Sequence, residues 1–163
     1  MNTQALKTLL VGAALSCAAG VTLAQVPQYG TSVNLEQANK AIAAAVAESR
    51  KLNLPMAIAV VDTAGQLVAF ERMDNTQTAS IGVAQDKAVS AAMYRRSTKV
   101  FQDILAGGGA GLRVLTLRGA NAVEGGLPLS VGGKIIGAIG VSGGSAEQDG
   151  VVAKAGTDAL GGK

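Results

Sequence analysis

The stretch from Glu124 to Asp149, EGGLPLSVGGKIIGAIGVSGGSAEQD, restricts the fold more than any other part of the chain. Two β-type apolar runs, Leu127–Val131 and Ile135–Val141, are split by Gly132-Gly133. Both central residues of a tight turn can take φ > 0 when they are glycine, so the pattern predicts a hairpin. Beyond it, Ser145 and Gln148 have the spacing of a capping box, which predicts a last helix ending near Leu160. A second hairpin is expected upstream, with a strand from Met56 to Asp62, a turn at Thr63–Gln66 and a return strand from Leu67 to Met73. Strands joined by such short turns pair antiparallel.

Helices fill much of the remainder. Asn34 and Gln37 form a reciprocal cap for a first helix, and Leu35, Ala38, Ile42, Ala45, Val46, Ser49 and Leu52 fall on one face of it. Pro55 forbids its continuation past about Asn53. A second helix is expected from about Thr78 to Tyr94, with a thin stripe of Ile81, Ala84 or Gln85, Ala88, Ala91 and Ala92. Asp86 and Lys87 sit mid-helix, where charged residues usually face solvent. Arg95-Arg96 suits the negative end of this helix. Ser97 or Thr98 caps a short helix over Lys99–Leu105, followed by the glycine-rich loop Ala106–Gly111. Leu112–Leu117 reads equally as a strand or as an irregular segment. The expected fold class is α/β of the α+β kind: one domain, with an antiparallel sheet flanked by helices.

The first 24 residues do not belong to that domain. Lys7 is their only charge, Leu9–Leu15 is a short apolar core, and small residues lead to Ala24. This is the pattern of a secretory signal peptide cleaved before Gln25, and the apolar run is shorter than the ~20 residues a membrane span needs. The expected location is the periplasm or the exterior, with no membrane attachment after cleavage. Residues 25–33 read as a lead-in, 34–160 as the domain and 161–163 as a tail.

Composition then excludes whole classes of chemistry. Cys17, the only cysteine, leaves with the signal, so the mature chain has no disulfide and no thiol nucleophile. There is no histidine anywhere, which rules out a Ser–His or Cys–His relay and a zinc site built on nitrogen and sulfur ligands. Loss of Lys7 lowers the formal charge from +3 to +2, and Trp is absent. Neither the electrostatics nor the stacking platforms of a nucleic-acid binder are present. A small core rich in Ala and Gly buries little area per residue, which favours self-association.

The candidate site residues are therefore carboxylates, cations and backbone groups. GGGAG at 107–111 lacks the Gly-Lys-Ser/Thr ending of a phosphate loop, and no G-x-G-x-x-G opens a helix after a strand. The segment Gly140–Ser145 does lead into a helix N-terminus, so Ser142, Ser145 and Gln148 are candidates for holding an anion or a propionate. Asp62, Glu71, Arg72 and Asp74 lie at the ends of the first hairpin, either as a solvated rim or as part of a site. Glu124, with Gly125 and Gly126 after it, and Glu147 or Asp149 offer a carboxylate cluster for a hard cation or for acid–base work. Tyr94 and Arg95 are candidates for contact with a flat ligand.

Three stretches, PMAIAVVDTAGQLVAFERMD, KAVSAAMYRRSTK and EGGLPLSVGGKIIGAIGVSGGSAEQD, resemble the haem-binding and glycolate-operon accessory family of the GlcG/HbpS type. The same module forms the C-terminal domain of some cobalamin adenosyltransferases. The resemblance spans about Asn34 to Leu160. It implies a profilin-like fold, oligomers and, in some exported members, haem binding linked to redox sensing. Some members are thought to hold haem through a histidine, which this chain lacks; an axial ligand here would be Met, Tyr, Thr or none. Haem propionates would meet Arg72, Arg95 or the Ser142–Ser145 helix entrance. The expected function is an exported, oligomeric, non-catalytic small-ligand-binding protein, with haem as the first ligand. The alternative is a small enzyme acting on a carboxylic or hydroxy acid through Lys87, Glu124 and Asp149. A third possibility is an accessory protein with no ligand.

Overall fold

The computed structural model describes residues 26–161; the proposed signal segment, with Cys17, and the last two residues of the tail lie outside it. Four helices stand where they are expected: α1 (Leu35–Lys51), α2 (Ser80–Tyr94), α3 (Thr98–Ala106) and α4 (Ala146–Asp158). Asn34, Ser97 and Ser145 cap α1, α3 and α4 as predicted, and α2 starts after Ala79 with no side-chain cap. Four strands, β1 (Ala57–Asp62), β2 (Leu67–Arg72), β3 (Gly126–Val131) and β4 (Lys134–Ser142), form one sheet in the order β2-β1-β4-β3. Every named pairing is antiparallel; the short turns require it for β1–β2 and β3–β4, and β1 and β4 join the two hairpins at the centre of the sheet. Gly132 and Gly133 both take φ > 0 at the β3–β4 turn. Asp62 makes the other turn by accepting from the Ala64 and Gln66 amides at 2.8 Å each.

β1 alternates between two cores. Ile58 and Val60 face α1 and α4 with Ile139, Val141 and Val152. Ala57, Ala59 and Val61 face α2 with Ala84, Ala88, Ala91, Ala92 and Ala138. The second core is nearly all alanine, so the α2 backbone comes very close to the sheet. At Gly140 a Cβ would overlap the Ala84 carbonyl oxygen and lie 2.5 Å from the Ala88 nitrogen.

Several local expectations are corrected by packing. The ambiguous segment Leu112–Leu117 is a 3-10 helix, Gly109–Thr116, packed on α3. Leu35, placed on the buried face of α1, is 58% exposed. Lys87, expected at the solvent side of α2, is 1% exposed, while Asp86 beside it does face solvent. The lead-in is also structured. Gly30 donates to the Ile135 carbonyl, Ile135 donates to that of Gln28, and Tyr29 Oη donates to the Ala92 carbonyl at 2.8 Å. No helix among the described residues is long and apolar enough to cross a membrane.

Candidate functional site

Lys87 and Asp149 form the one ion pair among the described residues that is shut away from solvent, with Nζ to Oδ2 at 2.7 Å. Lys87 lies on the α2 stripe that faces the sheet, so its side chain runs inward toward the end of β4. There Nζ also donates to the Val141 carbonyl at 3.1 Å. Asp149 sits in the first turn of α4, and its Oδ1 accepts from the Gly144 amide at 2.9 Å. Burial holds the Asp149 carboxyl above the ordinary carboxylate range, against the opposite pull of Lys87 and the Gly144 amide. Gly125 and Gly126 pass directly over this pair. A Cβ on Gly125 would lie 2.9 Å from Lys87 Nζ, and one on Gly126 would strike the Lys87 carbonyl. The glycines are thus required by close approach, and Gly125 also has φ +124°.

Of the candidate residues, the structure brings Lys87, Gly125, Gly126 and Asp149 together. Glu124 packs its carboxylate on Gly150, the neighbour of Asp149. Among the described residues no group of three potential ligands is placed to hold a metal, and the Lys87 ammonium is the cation beside Asp149. Ser142 lies nearby but turns to the α2 side, where its hydroxyl meets that of Ser80 at 3.1 Å. The proposed anion entrance at α4 is filled by the chain itself. Ser145 and Gln148 complete their capping box, and Ser145 Oγ donates to Glu147 at 3.0 Å. The Glu147 carboxyl is held below the ordinary range by its own amide and by Ser145.

Arg72, Asp74 and Arg95 are elsewhere. Arg72 is at the exposed end of β2 and makes no ion pair with Asp74. Arg95 takes the left-handed conformation after α2, donates to the Pro27 carbonyl at 3.3 Å, and sits over the Tyr29 ring at 5.3 Å. Tyr94 is a core edge: it meets Phe101 edge-on at 5.0 Å and donates to the Arg118 carbonyl.

The most open apolar surface next to these cations involves residues that carry no polar signal. α2 covers β1, β4 and β3 but leaves β2 largely uncovered. On that side Leu67 is 51% exposed, Phe70 is half-buried, and Met93 is 53% exposed beside Val89 and Gly65. Arg72 stands at one end of this trough, and the C-terminus of α2, followed by Arg95 with its guanidinium on Tyr29 and Pro27, is at the other, since Ser80 lies at the Ser142 end of the sheet and Met93 at the β1–β2 turn. An exposed Met at the end of an alanine-rich helix was the available sequence signal. Three further polar residues carry no motif that would single them out. Thr98, Gln102 and Ser90 accept from the amides of Gly126, Glu124 and Asn121, and so hold the irregular lead into β3 in place.

Residues 33–158 match the family model described as haem degrading protein HbpS-like. Protein GlcG of Escherichia coli is 40% identical over 114 residues, which is 69% of this chain and 84% of that protein. A double mutant of Streptomyces reticuli HbpS superposes with TM-score 0.73 at 30% identity, covering 92% of this chain and 99% of that one. A solved PduOC–haem complex superposes with TM-score 0.71 at 27% identity, covering 80% and 96%. With a family model matched over most of the chain and relatives and solved structures that agree in sequence, fold and length, the chain belongs to the HbpS-like family, the GlcG/HbpS group its motifs resemble.

Proposed function

We propose that this protein is an exported, self-associating haem-binding protein with no catalytic centre of its own, and that haem docks in the trough between β2 and α2. The observation that carries this reading is the uncovered apolar strip of Leu67, Phe70, Val89 and Met93 with an arginine at each end. A macrocycle needs a flat apolar contact and cations for its two propionates, and Arg72 or Arg95 serves the propionate edge in either orientation. The donor set fits as well: the Met93 thioether would be a soft ligand for the iron, and Met93 is 53% exposed. Bound there, haem would supply a redox-active iron. The likeness to a protein solved with haem supports the reading. Lys87 and Asp149 act in it as a structural tie, because each already has its charge and hydrogen-bond partners inside the fold.

Titration of the mature chain with haemin tests the assignment. The expected result is a saturable change in the Soret band, lost or shifted to a high-spin spectrum in Met93→Ala and weakened in Arg95→Ala. A titration with no saturation rejects haem, whereas an unchanged spectrum in Met93→Ala rejects the site.

A further inference from the structure

We infer that the cleft at the C-terminal end of α1 binds a small zwitterion of the α-amino-acid type. The cleft is open, has a volume of about 290 Å³, and lies between the α1–β1 connection and the exit of β2. That volume is near the lower end of the roughly 300–1,000 Å³ typical of small-molecule sites, so it suits a ligand of a few heavy atoms.

Its chemistry is divided between two walls. Arg50 comes from the last turn of α1, and Asp74 from the segment after β2. The two charges face one cleft yet make no ion pair with each other or with another described residue. A simple anion there would meet Arg50 but be repelled by Asp74, and a simple cation would meet the reverse. A molecule carrying both charges satisfies both walls, with its carboxylate on Arg50 and its ammonium on Asp74. Asn53 and Asn75 supply amide donors and acceptors, one from each wall, and both hold the left-handed conformation (φ 54° and 64°). That conformation is costly for a residue with a side chain, although asparagine tolerates it best. Leu54, Pro55 and Met73 form an apolar floor for a short side chain. Pro55 is held close to the end of β4, where its carbonyl packs on Gly143 so closely that a Cβ there would overlap it.

Calorimetric titration with glycine, L-alanine and L-methionine, against acetate and methylamine, tests the site. At least one amino acid should bind saturably in the micromolar to millimolar range, with acetate and methylamine each weaker by about tenfold or more. Arg50→Ala and Asp74→Asn should each weaken amino-acid binding by about tenfold. Both side chains are exposed, so these variants should keep the parent melting temperature and haemin spectrum, which separates this site from the haem trough. The proposal is overturned if none of the amino acids binds, if acetate or methylamine binds as tightly, or if both variants bind like the parent.

Discussion

At the scale of single residues, the buried pair of Lys87 and Asp149 is the most consequential contact. A charge removed from water is tolerated only when its partner is held against it, and removing one partner leaves the other uncompensated. Asp149→Ala should therefore cost about 3–5 kcal/mol of stability in urea unfolding, and the double variant Lys87→Met with Asp149→Leu should cost clearly less than Asp149→Ala alone. If the double variant proves the less stable of the two, desolvation is not the dominant cost. The pH dependence has a definite sign. The folded-state pKa of Asp149 is raised, so at pH values between the unfolded and folded pKa the folded chain holds a proton that the unfolded chain has released, and above that window the pair with Lys87 is ionic. Its contribution is then greatest below the ordinary aspartate range, about pH 3.9, and is lost as pH rises through the raised folded value. Subtracting the stability–pH curve of Asp149→Asn from that of the parent should leave a difference that falls with rising pH across that window.

At the scale of elements, α2 shows how small side chains position a helix. The alanine core buries little area, so close approach of backbones and the Lys87 tie do much to hold α2 on the sheet. Gly140→Ala places a methyl group where the Ala84 carbonyl already sits, and should cost about 1–3 kcal/mol or more. Gly82 is the control. It lies on the exposed side of the same helix, and a methyl group added there would meet nothing within 4 Å, so Gly82→Ala should raise stability by about 0.5–1 kcal/mol. Thermal and urea unfolding of both variants checks the pair, and similar losses in the two would mean that helix packing is not the cause.

At the scale of the whole molecule, large apolar side chains are exposed together on one segment away from the sheet. The 3-10 segment leaves Leu112 53% and Leu115 71% exposed, with Val123 at 44% nearby in the chain. Leu112 and Leu115 are three apart, and side chains at that spacing eclipse on a 3-10 helix, so they present one face. Size exclusion with light scattering should find a species larger than a monomer at micromolar concentration, and Leu115→Glu should reduce its size without loss of helical circular dichroism. A monomeric parent chain would end the self-association reading.

Much of the architecture is local and was legible for that reason. A capping box needs residues three apart, a tight turn needs only a few residues such as Gly132-Gly133, and Pro55 stops a helix by itself; hence α1, α4 and both hairpins follow from short windows of sequence, whereas the β1–β4 pairing that joins the hairpins does not. The absence of histidine is likewise a property of the sequence alone, and it limits any iron ligand to groups such as Met93. The site was legible only in part. Lys87 looks like a surface residue within its helix because the partner that buries it is 62 positions away. Gly125 and Gly126 read as loop glycines until α2 is laid beneath them. Which strand α2 leaves uncovered is invisible to periodicity, since β1 and β2 are both apolar enough to be covered. The strands, caps and available chemistry were determined by neighbours in the chain. Which charges are buried, and which apolar face stays open to a ligand, was decided by tertiary packing, because burial depends on what lies across the fold.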